Sequence, residues 1–97
     1  MIAPEGELDL LSVPELVRQL NEVAGADQPD VILDLSAVTM LDSAALGGIL
    51  DVQHRFNRRG RKLSVVAPNG SAAVVMLELT GLRSTFSIFG SRDAALA

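Results

Sequence analysis

The chain has no cysteine, no tryptophan and no tyrosine, and only three phenylalanines among its 97 residues. Without cysteine there is no disulfide framework and no thiolate metal site, and a reducing cytoplasm suits such a chain. With so few large aromatics, the core has to be aliphatic, built from Leu, Val, Ile and Ala. No stretch approaches the roughly 20 consecutive apolar residues of a membrane span. The opening MIAPEGELD lacks the basic region that starts a signal peptide. Cations are in the minority: eight Lys and Arg against twelve Asp and Glu give a net charge of −4. General nucleic-acid binding is therefore not expected.

Hydrophobic residues make up 48% of the chain, which excludes a disordered tail. The length fits one domain, residues 1–97, with a modest core. The few cations are crowded: Arg55, Arg58, Arg59, Arg61 and Lys62 fall close together. This patch reads either as a solvated helix end and turn or as a contact for an acidic partner.

Hydrophobic spacing and turn residues predict alternating strands and helices. Ile2-Ala3-Pro4 is a short strand candidate, restricted by Pro4 to an edge or an end. Ser12-Val13-Pro14-Glu15 matches a capping box, with Ser12 as N-cap and Glu15 closing it. A helix is expected over 13–24, with Leu16, Leu20 and Val23 inward and Gly25 as its stop. ADQPD (26–30) reads as a turn. VILDL (31–35) is a buried strand and SAVTML a connection.

A second helix starts at Asp42 or Ser43, buries Leu46, Ile49, Leu50, Gln53 and Phe56, and ends at Gly60. LSVVA (63–67) is a further strand. Ser71 caps a third helix that Gly81 terminates. Thr85–Phe89 is the last strand, and Ser91 opens a terminal helix. The order β-α-β-α-β-α-β-α predicts an α/β fold with a mixed or mostly parallel sheet of about four strands and about four helices. Sites in such folds favour the loops after the carboxyl ends of strands.

The stretch MLDSAALGG (40–48) lies at such a place and leaves Asp42 and Ser43 side by side. One of them can cap the helix, because a side-chain oxygen there accepts from free amides of the first turn. One cap suffices, so the other polar residue is spare. Nucleophilic catalysis would need a base within reach of the serine. The sole histidine, His54, lies about 16 Å further along the same helix, and G-x-S-x-G is absent. His54 is expected to be a solvated or half-buried helix residue, and no enzyme is expected. Phosphate binding at the helix start has weak support, because Gly47 and Gly48 fall inside the helix and no nucleotide fingerprint is present. Close helix packing is the simpler account of both glycines. A phosphorylation switch is the fourth reading. A phosphate on Ser43 would add about −1.5 to −2 charge, which free amides at a helix start tolerate and a neighbouring Asp42 opposes.

The pattern extends beyond one dipeptide. Gly6-Glu7-Leu8-Asp9, VILDLSAVTMLDSAALGGIL (31–50), RRGRKLSVVAP (58–68) and LELTGLRSTFSIFGSRDAALA (77–97) together resemble the STAS domain family, and within it the single-domain anti-sigma factor antagonists. The resemblance implies a STAS-like fold and a binding protein. Such antagonists bind an anti-sigma factor, usually a GHKL-type ATP-dependent serine kinase, and so free a sigma factor. The kinase phosphorylates the serine after the motif aspartate, which breaks the complex, and a PP2C-type phosphatase reverses this.

Carried onto this chain, the phosphoacceptor is Ser43, and Asp9, Asp42, Ala44 and Gly47 belong with it to the partner surface. No cofactor and no metal is implied. The alternative is a STAS accessory or scaffold subunit of a lipid-transport ATPase or a stressosome-like assembly. Two departures stand out. Ala44 and Ala45 replace the Ser or Thr and Gly common in the family, so no second acceptor adjoins Ser43. Only MIAPE precedes Gly6, so the N-terminal edge strand is expected to be short, and an exposed edge invites a homodimer.

Overall fold

A computed structural model of the chain describes residues 1–25 and 30–97. Five strands and four helices follow in the order β1 (Gly6–Leu8), α1 (Val13–Gly25), β2 (Asp30–Asp34), β3 (Val38–Leu41), α2 (Ser43–Arg58), β4 (Lys62–Val66), α3 (Ala72–Leu79), β5 (Ser87–Phe89) and α4 (Arg92–Leu96). A single turn of 3-10 helix, Arg83–Thr85, precedes β5. The α/β architecture with four helices is as expected. All pairings between these strands are parallel, with β2–β4–β5 in one sheet and β1–β3 in another.

Three strands differ from the sequence-based expectation. The last begins at Ser87, because Thr85 closes the 3-10 turn and Phe86 follows it. SAVTML is not merely a connection, because Val38–Leu41 forms β3 and pairs with β1. The N-terminal segment pairs twice. Ile2 makes an isolated parallel bridge to Leu33 of β2, with its amide donating to the Ile32 carbonyl and its carbonyl accepting from Asp34. Gly6–Leu8 then turns onto β3, with an irregular register between Gly6 and Glu7. Gly6 has φ +75°, a left-handed conformation that favours glycine. The expected strand at Ile2-Ala3-Pro4 is thus one bridge, and the regular strand lies after Pro4, which has no amide to donate.

In the central strands β2 and β4 successive side chains point to opposite faces of the sheet, and on one of the two faces they are all apolar. Val31, Leu33, Leu63 and Val65 are all buried, and the register sets Val31 beside Leu63 and Leu33 beside Val65. Helix α1 buries Val13, Leu16 and Leu20, with Val23 partly buried. Its outer face carries Arg18 between Glu15 and Glu22, at 2.5 Å from each. Helix α2 buries Ala45, Leu46, Ile49, Val52, Gln53 and Phe56, so Val52 and Ala45 join the expected stripe and Leu50 is only partly covered. The two helices pack on each other, α1 also on β2 and α2 on β4, while α3 covers β3.

The capping box forms one turn earlier than expected. Asp9 Oδ1 accepts from the Ser12 amide at 3.0 Å, and Ser12 Oγ accepts from the Asp9 amide at 2.9 Å. Asp9 is therefore the capping residue and Ser12 the one that reaches back. Glu15 is not free to close a box, because its carboxylate holds Arg18 and Gln19. The Val13 amide already donates to the Asp9 carbonyl at 2.9 Å, so the chain begins to coil at Asp9. Gly25 is the last residue of α1 rather than the stop beyond it. Residues 26–29 of the expected turn ADQPD lie outside the described residues.

Candidate functional site

Register explains why Asp9 and Asp42 meet. Leu8 and Leu41 are partners in the parallel pair β1–β3, so the next residue of each strand emerges at the same end of the sheet. The Asp42 amide donates to the Leu8 carbonyl at 3.1 Å and extends that ladder by one step. From this point one chain turns into α1 and the other into α2. The site sits just past the carboxyl ends of two neighbouring strands, where α/β folds tend to place binding residues.

Asp42 is the N-cap of α2, with extended backbone at φ −87° and ψ 175°. Its two oxygens do different things. Oδ1 accepts from the Ala45 amide at 2.8 Å and starts the helix. Oδ2 accepts from the Leu10 amide at 3.2 Å and ties the β1–α1 turn to the start of α2. Ser43 is the first residue of α2 and is exposed. Its hydroxyl is not the helix cap, since Asp42 already holds that position. Ala44 is half-buried and Gly47 exposed. Ser43 and Gly47 are one turn apart and share a face of the helix.

The Asp9 carboxyl is held below the usual carboxylate range, first by the Ser12 amide, then by the Ser12 hydroxyl and the Leu11 amide. Three donors on one oxygen account for this: the Leu11 and Ser12 amides at 3.0 Å and the Ser12 hydroxyl at 3.1 Å. Hydrogen bonds to the charged form favour it. The turn that Asp9 holds presents Leu10 and Leu11, which are 67% and 89% exposed. Sequence reasoning passed over both leucines. Their signal was two adjacent apolar residues just before the inward spacing Val13, Leu16, Leu20 begins.

The two glycines of α2 have separate explanations. A Cβ on Gly48 would come within 2.7 Å of Val13 Cγ2, so Gly48 lets α1 and α2 approach closely. A Cβ on Gly47 would meet nothing within 4 Å, so packing does not require glycine there.

The structure brings Asp9, Asp42, Ser43, Ala44 and Gly47 to one end of the molecule. It separates them from the cationic group. Arg55 and Arg58 lie in the last turns of α2, at the far end of that helix from Ser43, and Arg59, Arg61 and Lys62 follow. Lys62 Nζ lies 5.5 Å from the centre of the Phe89 ring. His54 is exposed, three turns along α2 from Ser43. Among the described residues there is no group of His, Cys, Asp or Glu arranged to hold a metal ion.

Asp34, in the Asp-Leu-Ser run at the end of β2, is a structural anchor. Its side chain is 4% exposed and pairs with Arg92 of α4. Burial pushes its carboxyl up, but the Ser36 hydroxyl and amide and the Arg92 guanidinium outweigh that, and the net shift is downward.

Comparison with known proteins agrees with this architecture. The STAS domain family model matches residues 1–95. The anti-sigma-F factor antagonists RsfB of Mycobacterium tuberculosis strains CDC 1551 / Oshkosh and ATCC 25618 / H37Rv are each 32% identical over 91 residues, covering 94% of this chain and 73% of theirs. The crystal structure of an anti-sigma factor antagonist from Mycobacterium paratuberculosis superposes with a TM-score of 0.85 at 31% identity, covering 97% of this chain and 79% of that one. A Thermotoga maritima protein superposes with a TM-score of 0.78 at 26% identity, covering 96% and 80%. With the family model spanning nearly the whole chain and the parallel α/β fold in agreement, this chain belongs to the STAS domain family.

Proposed function

We propose that this chain is an anti-sigma factor antagonist. It binds an anti-sigma factor, a GHKL-type serine kinase, in the cytoplasm and so releases a sigma factor. The kinase phosphorylates Ser43 and thereby ends the complex, and a PP2C-type phosphatase restores the unmodified form. The chain acts as a binding partner and a kinase substrate, not as an enzyme. Asp9, Asp42, Ala44 and Gly47 form the contact surface around Ser43.

The observation that carries this reading is the exposed hydroxyl of Ser43 at a helix start that Asp42 already caps. A kinase can modify it without removing a structural bond. The names of the relatives at 31–32% identity support the same reading. A phosphate there gains from the free amides and the dipole of α2, so the domain stays folded. It also adds about −1.5 to −2 charge beside Asp42, which repels it. A partner surface fitted to a small neutral hydroxyl and one carboxylate then meets a bulky, strongly hydrated anion, and the steric and desolvation costs end the contact.

The test is phosphosite mapping after incubation of the purified chain with GHKL-type kinases of the same genome and ATP. Wild type is expected to gain one phosphate, on Ser43. Ser43→Ala is expected to gain none and still bind. Labelling that persists in Ser43→Ala overturns the assignment.

A further inference from the structure

Resting on the antagonist reading, we propose that Leu10 and Leu11 are the apolar contact on which the anti-sigma factor closes. The matching surface of that partner is an apolar cleft bordered by cationic side chains. Burying a leucine side chain is favourable relative to leaving it in water, in proportion to the apolar area removed. Two adjacent leucines, 67% and 89% exposed, leave that unused in the free protein. Adjacent exposed leucines at the proposed site are what a partner contact requires, whereas scattered ones need no explanation.

The turn that carries them is held firmly. Asp9 Oδ1 accepts from the amides of Leu11 and Ser12, and Asp42 Oδ2 accepts from the amide of Leu10. A contact already ordered before binding loses little conformational freedom on association. The two carboxylates that hold the turn also set the charge around it, so the partner's border is cationic and steers the encounter. This is the complementarity that selects the occupant.

Asp42 also links the leucines to Ser43. Its other oxygen caps α2 at the Ala45 amide, in the first turn that begins with Ser43. A phosphate on Ser43 competes for the amides of that turn and repels the Asp42 carboxylate. The bond to the Leu10 amide loosens as a result, and the leucine turn loses one of its two anchors. By contrast Val75 and Leu79, also exposed, lie on α3 and share no hydrogen bond with this network.

The experiment titrates the purified kinase that binds wild type against three double variants, with melting curves for each. Leu10→Ser/Leu11→Ser is expected to bind at least about tenfold more weakly, with an unchanged melting temperature. Leu10→Met/Leu11→Met, which keeps the apolar area, is expected to stay within about threefold of wild type. Val75→Ser/Leu79→Ser is expected to bind like wild type. Wild-type affinity is expected to fall as salt rises.

Equal binding by the Ser/Ser variant at positions 10 and 11 overturns this inference alone, and salt-independent affinity overturns the cationic border. Self-association of wild type that the same variant abolishes would assign the leucines to a second copy of the chain, and overturns the proposal. If no such kinase binds wild type, the antagonist reading falls and this inference with it.

Discussion

The starts of α1 and α2 lie side by side, and each contains an aspartate and a serine. At α1 the two residues are three positions apart, Asp9 and Ser12, and they satisfy each other's backbone amides. At α2 they are adjacent, Asp42 and Ser43, and only the aspartate can cap. A capping side chain accepts from an amide two or three residues on, so a serine directly after the cap is out of register for that bond. Ser71 and Ser91 accept from Val74 and Ala94 as caps of α3 and α4. The serines at the other helix starts are thus occupied, whereas Ser43 has been displaced from the capping position by its neighbour. One position of spacing separates a structural hydroxyl from one available for modification.

The largest expected effect breaks this comparison at Ser43, the proposed phosphoacceptor. Ser43→Asp places an anion where the hydroxyl was, and is expected to weaken binding of the proposed anti-sigma partner by about a hundredfold, or about 2.7 kcal/mol. The melting temperature is expected to stay near that of wild type, because an acidic residue in the first turn suits the helix dipole. Calorimetric titration and a melting curve check both.

Next comes the packing that sets the two helix starts side by side. Gly48→Ala drives a methyl into Val13 and is expected to destabilise by about 1–3 kcal/mol in urea titration. Valine is stiff at χ1 and cannot simply swing away. Gly47→Ala, one residue earlier, is expected to stabilise by roughly 0.5–1 kcal/mol, because only helix propensity changes.

The caps themselves rank third. Asp42→Ala is expected to cost about 1–2 kcal/mol, since it removes the Ala45 cap and the Leu10 tie together, while Asp42→Asn keeps the cap through its one carbonyl oxygen, loses the Leu10 tie because its NH2 cannot accept, and is expected to cost about 1 kcal/mol or less. Ser12→Ala is expected to cost about 1 kcal/mol. A larger loss for Ser43→Ala than for Ser12→Ala in the same urea titration would reverse the comparison.

The smallest effect is the acid response of the α1 start. The folded Asp9 carboxyl titrates below its unfolded range, so its contribution is present above pH about 4 and is lost as pH falls through the folded value. Amide hydrogen exchange at Leu11 and Ser12 is expected to accelerate over that acid window in wild type. In Asp9→Asn it is expected to show no such step.

Much of this could be read locally. The strands β2 and β4 are short and rich in Val, Ile and Leu, and α2 carries helical spacing from Leu46 to Phe56. Ser71, Ser91 and the Asp42–Ser43 pair mark helix starts wherever they occur. The capping box at α1 was misplaced because two overlapping patterns of equal spacing, Asp9 to Ser12 and Ser12 to Glu15, compete. Local pattern cannot decide between them; the engagement of Glu15 with Arg18 and Gln19 does. Strands β1 and β3 were unreadable for another reason. With three and four residues they have no period to detect, and each is a strand only because the other lies beside it.

The sequence by itself determined the α/β class, the STAS resemblance and the singling out of Ser43, because hydrophobic spacing, caps and motif residues act over a few positions of the chain. Only the tertiary structure decided that Asp9 stands next to Asp42 and that one carboxylate joins the Leu10 turn to the start of α2. Those depend on the pairing of Leu8 with Leu41, residues far apart in the chain whose alignment no local signal encodes. The close approach of α1 and α2 at Gly48 rests on the same kind of long-range packing.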